Sequence, residues 1–172
     1  MTKQDPQQII EGQRQDWNRV AGGWEKWDRL FEEQAGYLNH RLVADARLRQ
    51  GHAVLDLGLL NVTFRTGDAT ILPFETASFD AVISRFCLMF LPDVPKASAE
   101  IARVLKPSRW FAVMVWSSPE RNPSIGLSMA AIKQVIDLPP PDPTAPGIFR
   151  LAKPGELAGM LQDAGLVDIT EQ

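Results

Sequence analysis

Cysteine, histidine and tyrosine are scarce in this chain. Among 172 residues there is one cysteine (Cys87), one tyrosine (Tyr37) and two histidines, His40 and His52. A single cysteine cannot close an internal disulfide, and nothing near it has the spacing of a metal site. A reducing, cytoplasmic setting without a bound metal is the expectation. An excess of either charge is also missing. Eighteen basic residues face 21 acidic ones, for a net charge of −3 and a pI of about 5.4. That balance excludes a basic nucleic-acid groove. No apolar run approaches the ~20 residues of a membrane-spanning helix. The opening segment "MTKQDPQQIIEGQRQDW" has neither an apolar core nor an arginine-rich amphipathic leader pattern. No span and no leader are expected.

What is present is ordinary globular composition, 45% hydrophobic and 23% charged. The length suits one domain with a real core. Trp17, Val20, Trp24, Trp27 and Phe31 roughly match an i, i+3, i+7 face, interrupted by Gly22-Gly23. This predicts two short helices hinged at the glycines. Leu38, Leu42 and Ala46 predict a further helix before Gly51. Strands are predicted at Ala53–Leu57, Val62–Arg65, Phe79–Ser84 and Trp110–Trp116. Asp93 is placed to cap a helix with the face Val94, Ala97, Ile101, Ala102 and Leu105, stopped by Pro107. Ile125–Ile136 predicts another helix. Pro154 opens the next, with Leu157, Met160, Leu161 and Ala164 inward and Gly165 as its stop. Leu166–Thr170 predicts a last strand. The proline-rich "LPPPDPTAPG" (Leu138 to Gly147) predicts a stiff connector or flap.

Strands alternating with helices, and a continuous apolar strand "WFAVMVW", predict an α/β fold with a doubly wound, mostly parallel sheet. Ligands of such sheets sit beyond the carboxyl ends of the strands. The residues there are Asp56, Leu57 and Gly58; Gly67, Asp68 and Ala69; Ser84, Arg85, Phe86 and Cys87; and Trp116 and Ser117. This is a polar, mixed-charge rim with aromatic walls. It suits a ligand with a ring to stack, a hydroxylated middle and a charged end.

The ordered blocks "VLDLG", "NVTFRTGDATILPFETASFDAVISRFCLMFLPD" and "EIARVLKPSRWFAVMVW" resemble the class I S-adenosylmethionine-dependent methyltransferases, in the ubiquinone/menaquinone-biosynthesis-like branch. The resemblance runs from about Trp17 to the C-terminus. It implies a Rossmann-like core at 51–172 and an N-terminal helical lid at 1–50, together one domain. It implies S-adenosylmethionine as cofactor and a small, apolar or aromatic acceptor as substrate. It implies that Asp68 accepts from the adenine amino group and the Ala69 N–H donates to the adenine ring. Gly58 begins the loop that lets backbone approach the methionine half, with Asp56 on its floor. Arg85 and Phe86 line the methionine side, and Trp24 is the aromatic of the lid. No base is nominated, because methyl displacement depends mainly on positioning and desolvation. A homodimer is compatible with the pattern, and neither nucleic acid nor a membrane is implied as partner.

One departure is large. The family pattern continues from "DLG" through more glycines, a helix, a strand ending in a ribose-binding acid, and another helix. Here only Leu59, Leu60 and Asn61 separate Gly58 from the next predicted strand, where a parallel crossover needs a dozen residues or more. Either the working protein carries further residues at this join, or the join is genuine and the cofactor site is half built. In the second case the chain is a non-catalytic interaction or scaffold protein that keeps the fold. "KPSRW" is a milder departure from the usual Pro-Gly-Gly. Plainer roles exist for the same residues: Asp56 as a turn cap, Asp68 as an Asx-turn residue, Arg85 as an ion-paired rim residue, Trp24 and Trp27 as packing, Cys87 as a small buried hydrophobe.

Overall fold

The computed structural model describes residues 6–57, 67–137, 142 and 145–172. Gly58, the three-residue join, the predicted strand Val62–Arg65 and most of the proline-rich stretch lie outside them. Three strands, β1 (Val54–Asp56), β2 (Phe79–Arg85) and β3 (Leu105–Met114), form a sheet in the order β1-β2-β3. Both pairings are parallel. The helices are α1 (Pro6–Asp45), α2 (Val94–Val104), α3 (Pro123–Val135) and α4 (Glu156–Asp163).

Alternation along β2 divides the core into two layers. Ala81 and Ile83 pack with Leu42 and Ala46 of α1 and Ala112 of β3. Val82 points the other way, into a cluster with Leu88, Val94, Ile101, Val104, Leu157 and Leu161. α1 therefore covers one face of the sheet, and α2 and α4 cover the other. Asp93 caps α2, its carboxylate accepting the Lys96 N–H at 3.0 Å, and Pro95 sits in the first turn. Val94, Ala97 and Ile101 are buried as the spacing requires; Ala102 is half-buried. Leu157 and Leu161 face inward from α4, and Gly165 ends it at φ +91°.

Four expectations change. The N-terminal region is one 40-residue helix, with no break at Gly22-Gly23. Each glycine costs the helix about 1 kcal/mol, but no proline follows Pro6 within it. Ion pairs one turn apart (Arg14–Glu11, Arg19–Asp16, Arg29–Glu33, Arg41–Asp45) run along it. The predicted separate helix at Leu38–Ala46 is its C-terminal end. Second, α2 stops at Val104, not at Pro107, because Leu105 turns extended and pairs with Phe79. β3 thus begins early, loops out at Lys106–Arg109 and resumes opposite Ala81 at Trp110. Ser108 takes φ +59° in that bulge, where the family has glycine. Asp80 fastens the bulge by accepting from Lys106 Nζ at 2.8 Å and pairing with Arg109 at 3.0 Å. Third, Pro154 does not open α4; Gly155, at φ +78°, is its cap residue. Fourth, Leu166–Thr170 forms no strand. Leu166 and Ile169 pack on the core instead, while Val167 stays exposed.

α2 also holds the "LPF" segment. Arg103 donates to the carbonyls of Leu72 (3.0 Å) and Phe74 (2.8 Å), and Glu100 accepts the Leu72 N–H at 2.7 Å. Arg103 and Glu100 bond to each other as well, at 2.7 Å. This clamp ties the "LPF" segment to α2. No helix among the described residues is long and apolar enough to cross a membrane.

Candidate active site

The parallel sheet ends its strands at one rim, and a cavity of about 400 Å³ opens there, lined by Leu57 after β1, Arg85 at the end of β2, Phe86, Cys87, Phe90, Leu91, and Gln13 and Trp17 of α1. A second cavity of about 270 Å³ adjoins it, lined by Gln13, Asp16, Trp17, Phe90 and Pro146. The two share Gln13, Trp17 and Phe90.

The local backbone explains the walls. Directly after β2 the chain reverses, with Phe86 at φ +55°, an unusual conformation for a bulky residue. The turn lays the Phe86 ring flat on Trp116, centroids 4.6 Å apart and planes 9° apart. A single 3₁₀ turn, Leu88–Phe90, follows. It presents Phe90 edge-on to Trp17 at 5.5 Å. Arg85 donates to Asn39 of α1 at 2.7 Å, tying the rim to the helix that crosses it. Cys87 is half-buried. Burial pushes its thiol pKa up, and the nearby Asp56 carboxylate pushes it further.

Of the residues singled out from the sequence, Arg85 and Phe86 line the larger cavity. Asp56 ends β1 at the same rim, beside Cys87. Asp68 and Ala69 lie in a turn, Asp68 exposed and Ala69 half-buried. One Asp68 carboxylate oxygen accepts the Thr70 N–H at 2.8 Å, an Asx turn. Trp24 does not line either cavity; it sits 6.1 Å from Trp17. Gly58 falls outside the described residues. The sequence reading of the tryptophans, Phe86, Met89 and Phe90 as apolar walls includes Trp17 and Phe90; Gln13 and Leu91 are walls that it passed over. Trp17 belongs to the same helical stripe as Trp24, and spacing alone could not say which of them meets Phe90. His40 and His52 line neither cavity. Among the described residues no cluster of metal-ligating side chains occurs.

The fold agrees with comparisons to known proteins. Residues 35–113 match the methyltransferase domain family. A demethylmenaquinone methyltransferase of Renibacterium salmoninarum is 36% identical over 124 residues, 65% of this chain and 52% of that protein. These matches support a class I methyltransferase. A ubiquinone/menaquinone biosynthesis C-methyltransferase of Pasteurella multocida is 34% identical over 109 residues, 60% of this chain and 41% of its own length. The chain thus spans about half the length of the curated relatives it matches. In structure it resembles a SAM-dependent methyltransferase of Thermotoga maritima, with a TM-score of 0.53 and 17% identity over 87% of this chain and 79% of that one. A candidate methyltransferase of Bacillus halodurans gives a TM-score of 0.52 and 21% identity over 73% of this chain and 64% of that one. Both likenesses support the Rossmann-like fold, here with three described parallel strands.

Proposed function

We propose that the chain binds S-adenosylmethionine in the larger cavity and transfers its methyl group to a small aromatic or apolar acceptor. The observation that carries this is the rim itself: a cavity of about 400 Å³ at the strand ends with a guanidinium and aromatic walls, and a carboxylate at the end of the neighbouring strand. The volume is within the usual range for small-molecule sites, roughly 300–1,000 Å³. An acid and a base at one rim suit the zwitterionic amino-acid end of the cofactor. Asp56 would take its ammonium and Arg85 its carboxylate, held in place by Asn39. The rings of Trp17, Phe86 and Phe90 offer faces that favour a sulfonium cation. Asp68, through the oxygen that Thr70 leaves open, and the Ala69 N–H are the residues for the adenine. Trp24 backs Trp17 in the lid, and Gly58 would open the loop over the methionine half.

Bound there, S-adenosylmethionine supplies an electrophilic methyl group on a sulfonium. The chain's part is to orient the two reactants in line and keep water out. We read residues 1–50 as the lid and 51–172 as the core of one domain. No acidic residue occurs between Gly58 and Gly67, so the ribose hydroxyls have no carboxylate partner in that stretch. Cofactor affinity should therefore be modest. Calorimetric titration with S-adenosylhomocysteine tests the reading: micromolar binding that Arg85→Ala weakens at least ten-fold is expected. Absence of binding by a folded chain would overturn it in favour of an interaction protein that keeps the fold.

A further inference from the structure

Helix α3 turns its apolar side outward. Its 13 residues, "PSIGLSMAAIKQV", carry one charge, on Lys133. A helix this apolar is normally covered, yet none of its residues is buried. It rests chiefly on the 3₁₀ turn Pro119–Arg121. The small side of the helix makes that contact: a Cβ on Gly126 would lie 2.9 Å from the Pro119 carbonyl oxygen. At about 100° per residue, Val135 lies opposite Gly126, with Leu127, Ala131 and Ile132 flanking it. Exposure follows that geometry. Val135 is 86% and Leu127 71% exposed, and Met129, Ile132 and Ile136 are exposed as well. The one hydroxyl near the middle of the face, on Ser128, donates to the Ser124 carbonyl at 2.8 Å. Its donor is therefore used within the helix, and the face needs no polar partner.

We propose that this face of α3 is the interface of a homodimer, with a two-fold axis at Ala131 pairing α3 antiparallel with the same helix of a second copy. Leu127, Ala131 and Val135 are four residues apart and form one ridge. The two-fold sets Leu127 against the partner's Val135, and Val135 against the partner's Leu127. Ala131, meeting its own equivalent, lets the backbones approach. The ridge is complementary to itself, as an isologous contact requires, and the antiparallel pairing opposes the helix dipoles. Lys133 falls on the Gly126 side of the helix, so no charge is buried and no like charges meet. A lipid surface fits less well. Helices that lie on membranes carry several Lys and Arg along a polar face, whereas α3 has one in a chain of net charge −3. The surface available also fits. The chain exposes 12259 Å², where a compact monomer of 19.1 kDa exposes about 8,400 Å². Burying one Leu, Ile, Val or Met side chain removes roughly 60–120 Å², so the five exposed ones offer roughly 300–400 Å² per copy. A pair of such faces lies below the ~1,200 Å² of stable complexes and within the transient class. The dimer is therefore weak, with a Kd on the order of tens of micromolar. The proposal stands apart from the methyl-transfer reading, which needs only one copy.

Sedimentation velocity of the full chain, from about 5 to about 500 μM, tests it. The sedimentation coefficient should rise from monomer to dimer, with its midpoint in the tens of micromolar. The double variant Leu127→Glu, Val135→Glu should stay monomeric throughout. Both side chains are exposed, so its circular dichroism should match wild type. Ala131→Leu makes the helix more apolar but crowds the axis, and should weaken the dimer about five-fold or more. Ala131→Cys under oxidised glutathione should link two copies through residue 131, and wild type, with only Cys87, should not link. A monomer at every concentration would overturn the proposal. So would a dimer untouched by the double variant, or one tightened by Ala131→Leu, which would show unspecific sticking. Flotation of a monomeric chain with phosphatidylcholine/phosphatidylglycerol vesicles, lost in the double variant, would give the face to a lipid surface instead.

Discussion

Replacing Ser98 with alanine should make this protein more stable. Ser98 lies on the inward face of α2 with no solvent exposure. Its hydroxyl has no hydrogen-bond partner. A buried, unsatisfied polar group costs about 1–3 kcal/mol in lost hydration. Alanine removes that cost. It is also the better helix former, by roughly 0.5 kcal/mol. Against these gains stands the small void left by one oxygen atom, worth a few tenths of a kcal/mol at roughly 24 cal/mol per Å³. The balance is a gain of about 1.5 kcal/mol. For a chain of this size, that raises the melting temperature by about 3–6 °C. Thermal unfolding followed by circular dichroism, with urea midpoints at constant m-value, measures it. A lower melting temperature would refute the reasoning, because it would mean that the hydroxyl is bonded in the folded state. Ser84→Ala is the companion case. Ser84 is equally buried and unpartnered but lies in a strand, where alanine is a poor former, so its gain should be smaller.

Other consequences are open to measurement. Lys106, then the Ala53 N–H, hold the Asp80 carboxyl below the ordinary aspartate range. A depressed folded pKa means stability that is present above the unfolded pKa, near 3.9, and lost as pH falls through the folded value. Asp80→Asn should therefore lower the urea midpoint at pH 7, and the gap from wild type should narrow as pH falls below about 4; a gap that stays constant through the acid range would contradict the linkage. The raised Cys87 pKa means little thiolate at neutral pH, so iodoacetamide should label it slowly there and faster in alkali. Asp56→Asn removes one of the two causes and should speed labelling at pH 8; a slower rate would exclude that carboxylate as a cause. Arg103→Met frees the carbonyls of Leu72 and Phe74 and should raise hydrogen exchange across residues 70–78 while α4 stays protected. Uniform acceleration across both would mean that Arg103 supports the whole fold rather than this clamp. Gly126→Ala would place a Cβ 2.9 Å from the Pro119 carbonyl oxygen. It should loosen α3 from the 3₁₀ turn at Pro119–Arg121, read as faster proteolysis within 119–136 despite alanine's better helix propensity.

Much of the fold could be read locally. The Asp93 cap, the Leu157/Leu161 face of α4 and the "FDAVIS" strand depend on neighbours within one or two turns, and all three stand in the structure. The misreadings arose where distant partners decide. Gly22-Gly23 is the exception, a local misreading: the helix runs straight through both glycines. Leu105 looked like the end of a helix, but pairing with Phe79 drew it into β3. Leu166–Thr170 has the composition of a strand, but no described strand pairs with it, and its apolar residues found the core instead.

The candidate site divides in the same way. Composition and spacing alone assigned an α/β fold, put Asp56, Arg85 and Phe86 at one rim, and carried the family resemblance. These are properties of strand ends, and a strand end is marked by adjacent residues. Which tryptophan of α1 meets Phe90, and how that pair divides one opening into two cavities of different charge, was decided only in three dimensions. A helical stripe repeats every turn, so Trp17 and Trp24 are equivalent until the turn after β2 chooses between them.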